Sequence, residues 1–362
     1  MEFIDLKAQQ RRIEADLRRR MDTVLSHGRY IMGPEIEELE AALADFVGVR
    51  HCVAVGSGTD ALSLAMMGLG IGPGDEVITT PFTFFATAET ISLLGASPVF
   101  VDIDPKTYTL DTARLADVCT ERTKAILPVS LYGQCANMNA ICEVARTHGD
   151  IPVIEDGAQS LGATHHGRQS CGLSLLGTTS FFPSKPLGCY GDGGAVFTSD
   201  DGLAVVLREL RVHGQSARYE HSRIGLCSRL DTLQAAVLMA KLQVFEDELV
   251  RRQEVGARYS ELLDNLNVVT PYVEPHNRSV FAQYTIRVND RERVAKGLRD
   301  AGIPTAVHYP KAIHQQPVYG QQRTDLAHSE TAVDEVLSLP MGPYLDHLDQ
   351  NLVVERLSDL IP

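Results

Sequence analysis

The chain has 362 residues, 44% of them hydrophobic and 22% charged, which is enough for one large domain and a smaller companion. A formal net charge of -14 argues against a nucleic-acid or anionic-membrane partner. The seven cysteines form no C-x-x-C pair and lack zinc spacing, and no secretory signal or membrane-spanning run is visible. We therefore expect a cytoplasmic protein with free thiols and without a metal site.

The first two thirds of the chain alternate between helical patterns and short apolar runs. Helices are predicted at 7–27 and 35–46, where apolar residues recur at helical spacing. Further strands and helices are predicted at 53–55, 61–66, 76–80, 86–94, 98–101, 123–129, 139–148, 153–155 and 195–198. This alternation predicts an α/β fold with a mostly parallel sheet, whose ligands bind at the carboxyl ends of the strands.

The pattern changes after about residue 208. Two long helices are predicted at 228–249 and 254–266, followed by a strand at 283–288 and helices at 291–301 and 349–359. We interpret these segments as a smaller α+β domain. The predicted division is therefore a large domain at 1–245 and a small domain at 246–362, with the first helix packing on the small domain.

The run Gly56-Ser57-Gly58-Thr59-Asp60 lies between a predicted strand and a predicted helix. Glycines let the backbone approach an anion, and the first turn of a helix offers unpaired N–H groups. An ordinary N-cap is an equally good interpretation, because serine and threonine are common caps. The run matches neither a Walker loop nor a dinucleotide fingerprint.

Two further residues follow strands of the predicted sheet. Asp156 ends the strand at 153–155, where it could cap a helix or pair with a pyridinium nitrogen, with Gln159 nearby to contact the same ligand. Lys185 follows the extended run 178–182 and precedes a glycine-rich loop. A lone lysine is ordinarily a surface residue, but a lysine between apolar strand ends can be neutralised as an imine with a carbonyl cofactor.

Five segments together carry a resemblance to a known family: GTDAL at 58–62, EDGAQS at 155–160, SFFPSK at 180–185, GDGGA at 191–195 and SRLDTLQAA at 228–236. In these segments and along nearly its whole length, the chain resembles the nucleotide-sugar aminotransferases of the DegT/DnrJ/StrS type. The resemblance implies the aspartate aminotransferase fold (fold type I) of pyridoxal phosphate enzymes, with a seven-stranded type of sheet in the large domain.

The resemblance also implies roles for individual residues. Lys185 would hold pyridoxal 5'-phosphate as an imine and later move a proton. Asp156 would hold the pyridinium nitrogen and Gln159 the ring oxygen. The remaining cofactor contacts would be Gly58, Thr59 and Ser180 at the phosphate and Phe84 against the ring. The family further implies glutamate as amino donor, 2-oxoglutarate as its product, and a homodimer with shared active sites.

One position departs from the family pattern. The run Gly225-Leu226-Cys227-Ser228-Arg229-Leu230 has Cys227 where the family usually has an asparagine that reaches the partner's phosphate. A thiol is only a weak donor, so this contact would fall to Ser228 or to a water.

The segments 128–134, 183–190 and 305–310 resemble a subgroup that aminates UDP-2-acetamido-2-deoxy-3-oxo-glucuronate for bacterial surface polysaccharides such as the lipopolysaccharide O-antigen. A uronate carboxylate calls for a cation. We therefore expect Arg229, His308 and Tyr309 to bind the substrate, offered across the dimer interface. The alternative for Arg229 is a structural ion pair with Asp231 or another acid.

Four other functions are alternatives to amination of this uronate. Amination at C3 or C4 of a neutral dTDP- or UDP-ketosugar stays open. A regulatory protein that binds the cofactor without turnover conflicts with the complete set of Asp156, Gln159 and Lys185. A related dehydratase would have histidine in place of Lys185, and a dehydrogenase would need a glycine fingerprint that is missing here.

Overall fold

The computed structural model describes residues 1–320 and 325–361. Over these residues the helices are α1 Leu6–His27, α2 Pro34–Val47, α3 Gly58–Gly68, α4 Ala86–Leu93, α5 Met138–Thr147, α6 Asp201–Leu210, α7 Thr232–Leu263, α8 Arg291–Asp300, α9 Ala327–Glu335 and α10 His347–Ser358. The strands are β1 His51–Val55, β2 Glu76–Thr79, β3 Ser97–Phe100, β4 Thr123–Ile126, β5 Ile154–Asp156, β6 Thr164–His165, β7 Arg168–Gln169, β8 Leu176–Ser180, β9 Gly194–Thr198, β10 Gln215–Ala217, β11 Glu220–His221, β12 Asn277–Arg278, β13 Tyr284–Arg287 and β14 Val336–Leu339.

A central sheet is formed by strands in the order β3-β2-β4-β5-β8-β9-β1. Parallel bridges from Ile126 to Val153 and from Val129 to Asp156 join its two halves. The pairings β2–β3, β2–β4 and β5–β8 are parallel, and β9 is antiparallel to both β8 and β1. The mostly parallel sheet expected from the sequence is confirmed.

Most strands of this sheet are buried on both faces, whereas Ser97 in β3 and Lys124 in β4 are exposed. In β1, Cys52 and Ala54 contribute to the core on one face, whereas Val53 and Val55 contribute to the core on the other. Successive side chains of a strand point to opposite faces, so a strand covered on both sides must be apolar at every position. This is why the strands read as continuous apolar runs.

The long helix α7 differs from the prediction of two separate helices. It is continuous from Thr232 to Leu263. Residues 250–253, which separate the two predicted helices, continue the helix, with Arg251 exposed and Arg252 buried. The Arg252 guanidinium donates to the Phe281 carbonyl at 3.2 Å.

Helix α7 passes from one hydrophobic core to another. Up to Leu249 its apolar side chains belong to the core that includes the sheet, and from Val255 onward they belong to the core around β13 and β14. Helix α1 lies along the first half of α7, where Ile13 and Leu17 pack in one cluster with Val237 and Ala240. The division of the chain at residue 245 stays a prediction.

The C-terminal part of the chain approaches the carboxyl edge of the central sheet. Strands β13 and β14 pair antiparallel, and a bridge from Ala306 to Ser338 adds the segment that leads to His308 and Tyr309. This arrangement brings a segment 150 residues after Gln159 within hydrogen-bonding distance of it.

The predicted thiol state is confirmed, since all seven cysteines are free. Among the residues that the model describes, no helix combines the length and the apolar character needed to cross a bilayer.

Candidate active site

A cavity of about 480 Å³ lies at the carboxyl edge of strands β5 and β8. Nine of the ten predicted site residues line it, and Arg229 does not. Those nine are Gly58, Thr59, Phe84, Asp156, Gln159, Ser180, Lys185, His308 and Tyr309. The cavity therefore gathers residues from strand ends, the first turn of α3 and the segment after residue 305.

Asp156 is the last residue of β5 and is 4% exposed. Its Oδ2 accepts a hydrogen bond from the Thr87 hydroxyl at 2.9 Å, and its Oδ1 accepts one from the Ala158 N–H at 3.1 Å. Burial raises the pKa of the Asp156 carboxyl, while these two donors and the charge of Lys185 oppose the rise. Each oxygen keeps a lone pair for a further donor, so a cationic ring nitrogen would complete the carboxylate's partners.

Lys185 follows β8 by five residues and its side chain reaches the same cavity. Burial lowers the pKa of its ammonium group, and the nearby Asp156 charge opposes this shift. Within residues 1–320 and 325–361, its Nζ has neither a hydrogen-bond nor an ion-pair partner, unlike the other buried lysine, Lys241. A desolvated, unpaired amine is suited to nucleophilic attack on a carbonyl carbon.

The loop before α3 forms a cradle of suitable size for an anion. The Ser57 hydroxyl accepts a hydrogen bond from the Asp60 N–H at 3.0 Å, so Ser57 is an N-cap. Gly58 lies so close to Ser180 that a Cβ at this position would be 2.6 Å from the Ser180 Cβ. Only glycine allows this approach, which brings the Ser180 hydroxyl to the amino end of α3.

Gln159 and two aromatic rings form one side of the cavity. The Gln159 Oε1 accepts a hydrogen bond from the Tyr132 N–H at 2.8 Å, and its Nε2 donates to the Tyr309 hydroxyl at 3.1 Å. The rings of Phe84 and Tyr309 are 6.0 Å apart between centroids. Burial raises the pKa of Tyr309, so its phenol stays protonated at neutral pH.

His308 enters the cavity as a neutral side chain. Its Nδ1 is 3.0 Å from the Ser338 hydroxyl. Burial and the positive charge of Lys185 lower the pKa of its imidazole to about 4. His308 can therefore act as a neutral hydrogen-bonding group toward a substrate, and it supplies no cation at neutral pH.

Arg229 and Cys227 lie outside this cavity. Cys227 is exposed, and the Arg229 guanidinium donates to its Sγ at 3.0 Å. Over the described residues Arg229 makes no ion pair, with Asp231 or with any other acid, so the structural alternative for Arg229 is not observed. The neighbouring Ser228 instead fixes the cradle loop, since its hydroxyl donates to Asp60 at 2.8 Å and accepts from the Gly56 N–H at 3.2 Å.

The sequence reasoning missed Thr87. This residue lies in the first turn of α4, immediately after the loop that ends β2, and its hydroxyl holds the carboxylate of Asp156. A threonine at the start of a helix is unremarkable by itself. Its position at the carboxyl edge of a parallel strand is the signal that could have identified it.

The chain is similar to known proteins over nearly its whole length. Residues 11–358 match the DegT/DnrJ/EryC1/StrS aminotransferase family. It is 54% identical to the UDP-2-acetamido-2-deoxy-3-oxo-D-glucuronate aminotransferase of Pseudomonas aeruginosa over 359 residues, which cover 99% of this chain and 100% of that protein. It is also 44% identical to the pleiotropic regulatory protein of Geobacillus stearothermophilus, covering 99% and 97% of the two chains.

A solved structure gives the same result for the fold. The crystal structure of NtdA from Bacillus subtilis with bound cofactor PMP superposes with a TM-score of 0.93 at 29% identity, covering 99% of this chain and 85% of that one. The family match covers almost every residue, and Asp156 and Lys185 line the same cavity. The chain belongs to the DegT/DnrJ/EryC1/StrS aminotransferase family.

Proposed function

We propose that this protein uses pyridoxal 5'-phosphate to transfer an amino group from glutamate to the C3 carbonyl of UDP-2-acetamido-2-deoxy-3-oxo-D-glucuronate. The product would enter bacterial surface polysaccharide synthesis, such as that of the lipopolysaccharide O-antigen. The observation that carries the proposal is that two residues line the same cavity: the buried Asp156, and Lys185, whose Nζ has no hydrogen-bond partner among the described residues.

The residues of the cavity fit this cofactor. A buried carboxylate is costly unless a positive partner compensates it, and a protonated pyridine nitrogen is such a partner. The Gly58 and Ser180 cradle suits a phosphate, since it combines close backbone approach with the amino end of α3. When bound, pyridoxal phosphate supplies an electron sink for the reacting α-carbon.

The chain itself would supply proton transfer and orientation. Lys185, whose pKa is lowered by burial, is the group placed to take the proton from the amino donor and to return one to the keto sugar. Asp156 would keep the ring nitrogen protonated, and Thr87 would keep Asp156 in place through the 2.9 Å hydrogen bond. Gln159 would orient the ring through its amide group.

The uronate assignment is supported by the 54% identity to the Pseudomonas aeruginosa protein of that activity. In the cavity, His308 and Tyr309 would offer neutral hydrogen bonds to the sugar. The cation for the uronate carboxylate would be Arg229, which lies outside the cavity of its own subunit and is not held by an acid in the described part of the chain.

A homodimer would bring Arg229 of one subunit to the cavity of the other. Large apolar side chains are also exposed: Phe84 and Phe182 at the cavity are 56% and 52% exposed. Tyr219 and Ile224, in and next to the β10–β11 hairpin, are 83% and 89% exposed. Apolar surface of this kind is typical of an interface.

The test is the visible absorption spectrum of the purified protein before and after glutamate, and then after a panel of UDP- and dTDP-ketosugars. We expect a yellow band that glutamate bleaches and that only the UDP-3-oxo-uronate restores. Restoration by a neutral ketosugar would keep the aminotransferase and reject the uronate. A band that does not respond to glutamate would support the regulatory alternative, and the absence of any band would reject the cofactor.

The variant Lys185→Ala tests the proposed catalytic role of this lysine. We expect turnover to be abolished, with amino transfer lowered by more than about 10³-fold, because a positioned acid–base and nucleophile is removed. Amino transfer should be followed by chromatography of the sugar product. Sustained activity in this variant would exclude Lys185 as the proton-transferring group.

A further inference from the structure

Three histidines meet on the surface of the subunit, away from the active-site cavity. His165 ends β6, His166 lies in the turn to β7, and His276 immediately precedes β12. Strands β6 and β12 pair with His165 opposite Asn277, and the His166 N–H donates to the His276 carbonyl at 2.8 Å. As a result, one ring nitrogen of each histidine lies within 4.8 Å of the others.

The tautomer of His165 follows from its hydrogen bonds. The Asn277 Nδ2 donates to the Cys135 carbonyl at 2.9 Å and to Gln134 Oε1 at 3.2 Å, which fixes the orientation of the amide. The Asn277 Oδ1 must then accept the hydrogen bond that joins it to His165 Nδ1 at 2.7 Å. The proton of His165 is therefore on Nδ1, and Nε2 carries a free lone pair.

This lone pair has no partner. His165 is 1% exposed, and its Nε2 is buried without a hydrogen bond within the described residues. The same is true of the Nε2 of His276. Buried polar atoms in native proteins nearly always have a hydrogen-bond partner. Two imidazole nitrogens without a partner in one cluster therefore indicate a ligand. Burial also lowers the pKa of His165, which keeps it in the neutral form that binds metals.

We propose that His165, His166 and His276 bind a divalent transition cation, of which Zn²⁺ is the natural probe. A hydrogen bond from Nδ1–H to an amide oxygen is the usual support for a histidine that binds metal through Nε2, and Asn277 supplies it. Three imidazoles and a water complete a tetrahedral zinc site.

Binding requires a small movement of His166. Tetrahedral Zn²⁺ with Zn–N bonds of 2.0–2.1 Å places its ligand nitrogens about 3.3 Å apart, which is closer than the 4.8 Å limit of this cluster. The rings of His166 and His276 are stacked at 4.4 Å between centroids with an angle of 4° between their planes, so their lone pairs lie in two parallel planes and cannot both point at one ion in this arrangement. His166 is the exposed member of the cluster, and its ring can rotate out of the stack without disturbing a core.

The positive charge that acts on His165 from a basic side chain is that of Arg168. Arg168, two residues after His166, is turned toward the Gly172 carbonyl, to which it donates at 2.7 Å. A bound ion would join the β6–β7 hairpin to the segment that follows α7. Because the hairpin begins eight residues after Asp156, the ion would also restrain the segment that carries Asp156 and Gln159.

The experiment uses the holoenzyme after dialysis against a chelator, titrated with ZnCl₂ by calorimetry and followed by thermal unfolding. We expect one equivalent of Zn²⁺ to bind and the Tm to rise by about 3 °C at saturation, since a ligand that binds only the native state stabilises it. The variants His166→Ala and His276→Ala should bind this equivalent at least tenfold more weakly. The control His148→Ala, which changes the exposed C-cap residue of α5, should bind as the wild type does.

Two outcomes would overturn the proposal: no binding of Zn²⁺ to the wild-type holoenzyme, or equal affinity in His166→Ala and in wild type. His166 is exposed on a turn, so this variant is expected to fold, and its unfolding temperature without metal checks that. The readouts are metal content and thermal stability, so they do not depend on the sugar substrate or on amino transfer.

Discussion

The edge of the sheet around Asp156 and the segment from Cys227 to Arg229 differ in how completely one subunit builds them. Asp156 is buried, with both carboxylate oxygens held by donors of the same chain. Arg229 touches only the thiol of Cys227, which is exposed. The comparison supports the proposal that one subunit would hold the pyridinium by itself, whereas Arg229 would reach an acidic substrate only in a second subunit.

After the loss of Lys185, the largest expected effect comes from Asp156→Asn. Loss of the charge partner of a buried cation costs roughly 3–5 kcal/mol, so kcat/KM should fall by about 10³-fold. Steady-state amino transfer with glutamate measures this. The control Asp117→Asn, an exposed acid in the connection between β3 and β4, should leave kcat/KM unchanged. A fall of less than tenfold in Asp156→Asn would mean that this carboxylate does not bind a charged ring.

A smaller and more selective effect is expected from Arg229→Ala. Removing a charge-assisted hydrogen bond costs roughly 2 kcal/mol, so the KM for the uronate should rise about 30-fold while the KM for glutamate stays constant. The KM of Arg229→Lys for the uronate should lie between the values of the wild type and of Arg229→Ala, because an ammonium group cannot form the bidentate pair. Equal changes in both KM values would remove Arg229 from the sugar site.

His308 predicts a pH effect on stability. Because its folded pKa is lowered to about 4 from 6.5, the unfolded chain binds a proton before the folded one does as the pH falls. The stability linked to neutral His308 is therefore complete above pH 6.5 and is lost between 6.5 and about 4. The loss should be roughly 2 kcal/mol, after allowance for partial screening by solvent.

The variant His308→Asn isolates this contribution, since asparagine does not titrate. Urea unfolding of wild type and variant at several pH values between 4 and 7 gives the two stability profiles. The variant should show a shallower decline on acidification. Parallel profiles would indicate that the pKa of His308 is the same in the folded and the unfolded protein, so that burial does not keep this imidazole neutral on acidification.

The smallest effect is expected from Cys227→Asn, which restores the residue usual in the family. If this position reaches the phosphate of the partner subunit's cofactor, one added hydrogen bond of about 1 kcal/mol should tighten cofactor binding about fivefold. Equilibrium dialysis with pyridoxal phosphate measures the change, and Cys227→Ala serves as a variant without a donor. Identical affinities in all three proteins would mean that residue 227 makes no contact with the phosphate.

Local sequence patterns were sufficient for much of the fold and for the cofactor side of the site. The apolar runs identified the strands of the central sheet, because a strand covered on both faces has no polar side. Asp156 and Lys185 could be singled out because each follows a strand, and strand ends of a parallel sheet share one edge. The sequence predicts two helices where the structure has the single helix α7, which is continuous across the two hydrophobic cores that it joins.

Only the tertiary structure decided which distant groups meet. Thr87 reaches Asp156 across 69 residues, and Gln159 reaches Tyr309 across 150. The neutral state of His308 and the histidine cluster depend on burial and strand pairing between segments far apart in the chain. The sequence by itself determined the class of fold through its local periodicity, and it singled out Lys185 through the order of its motifs and the resemblance to a family. It left the contacts between segments open, because these depend on topology and packing.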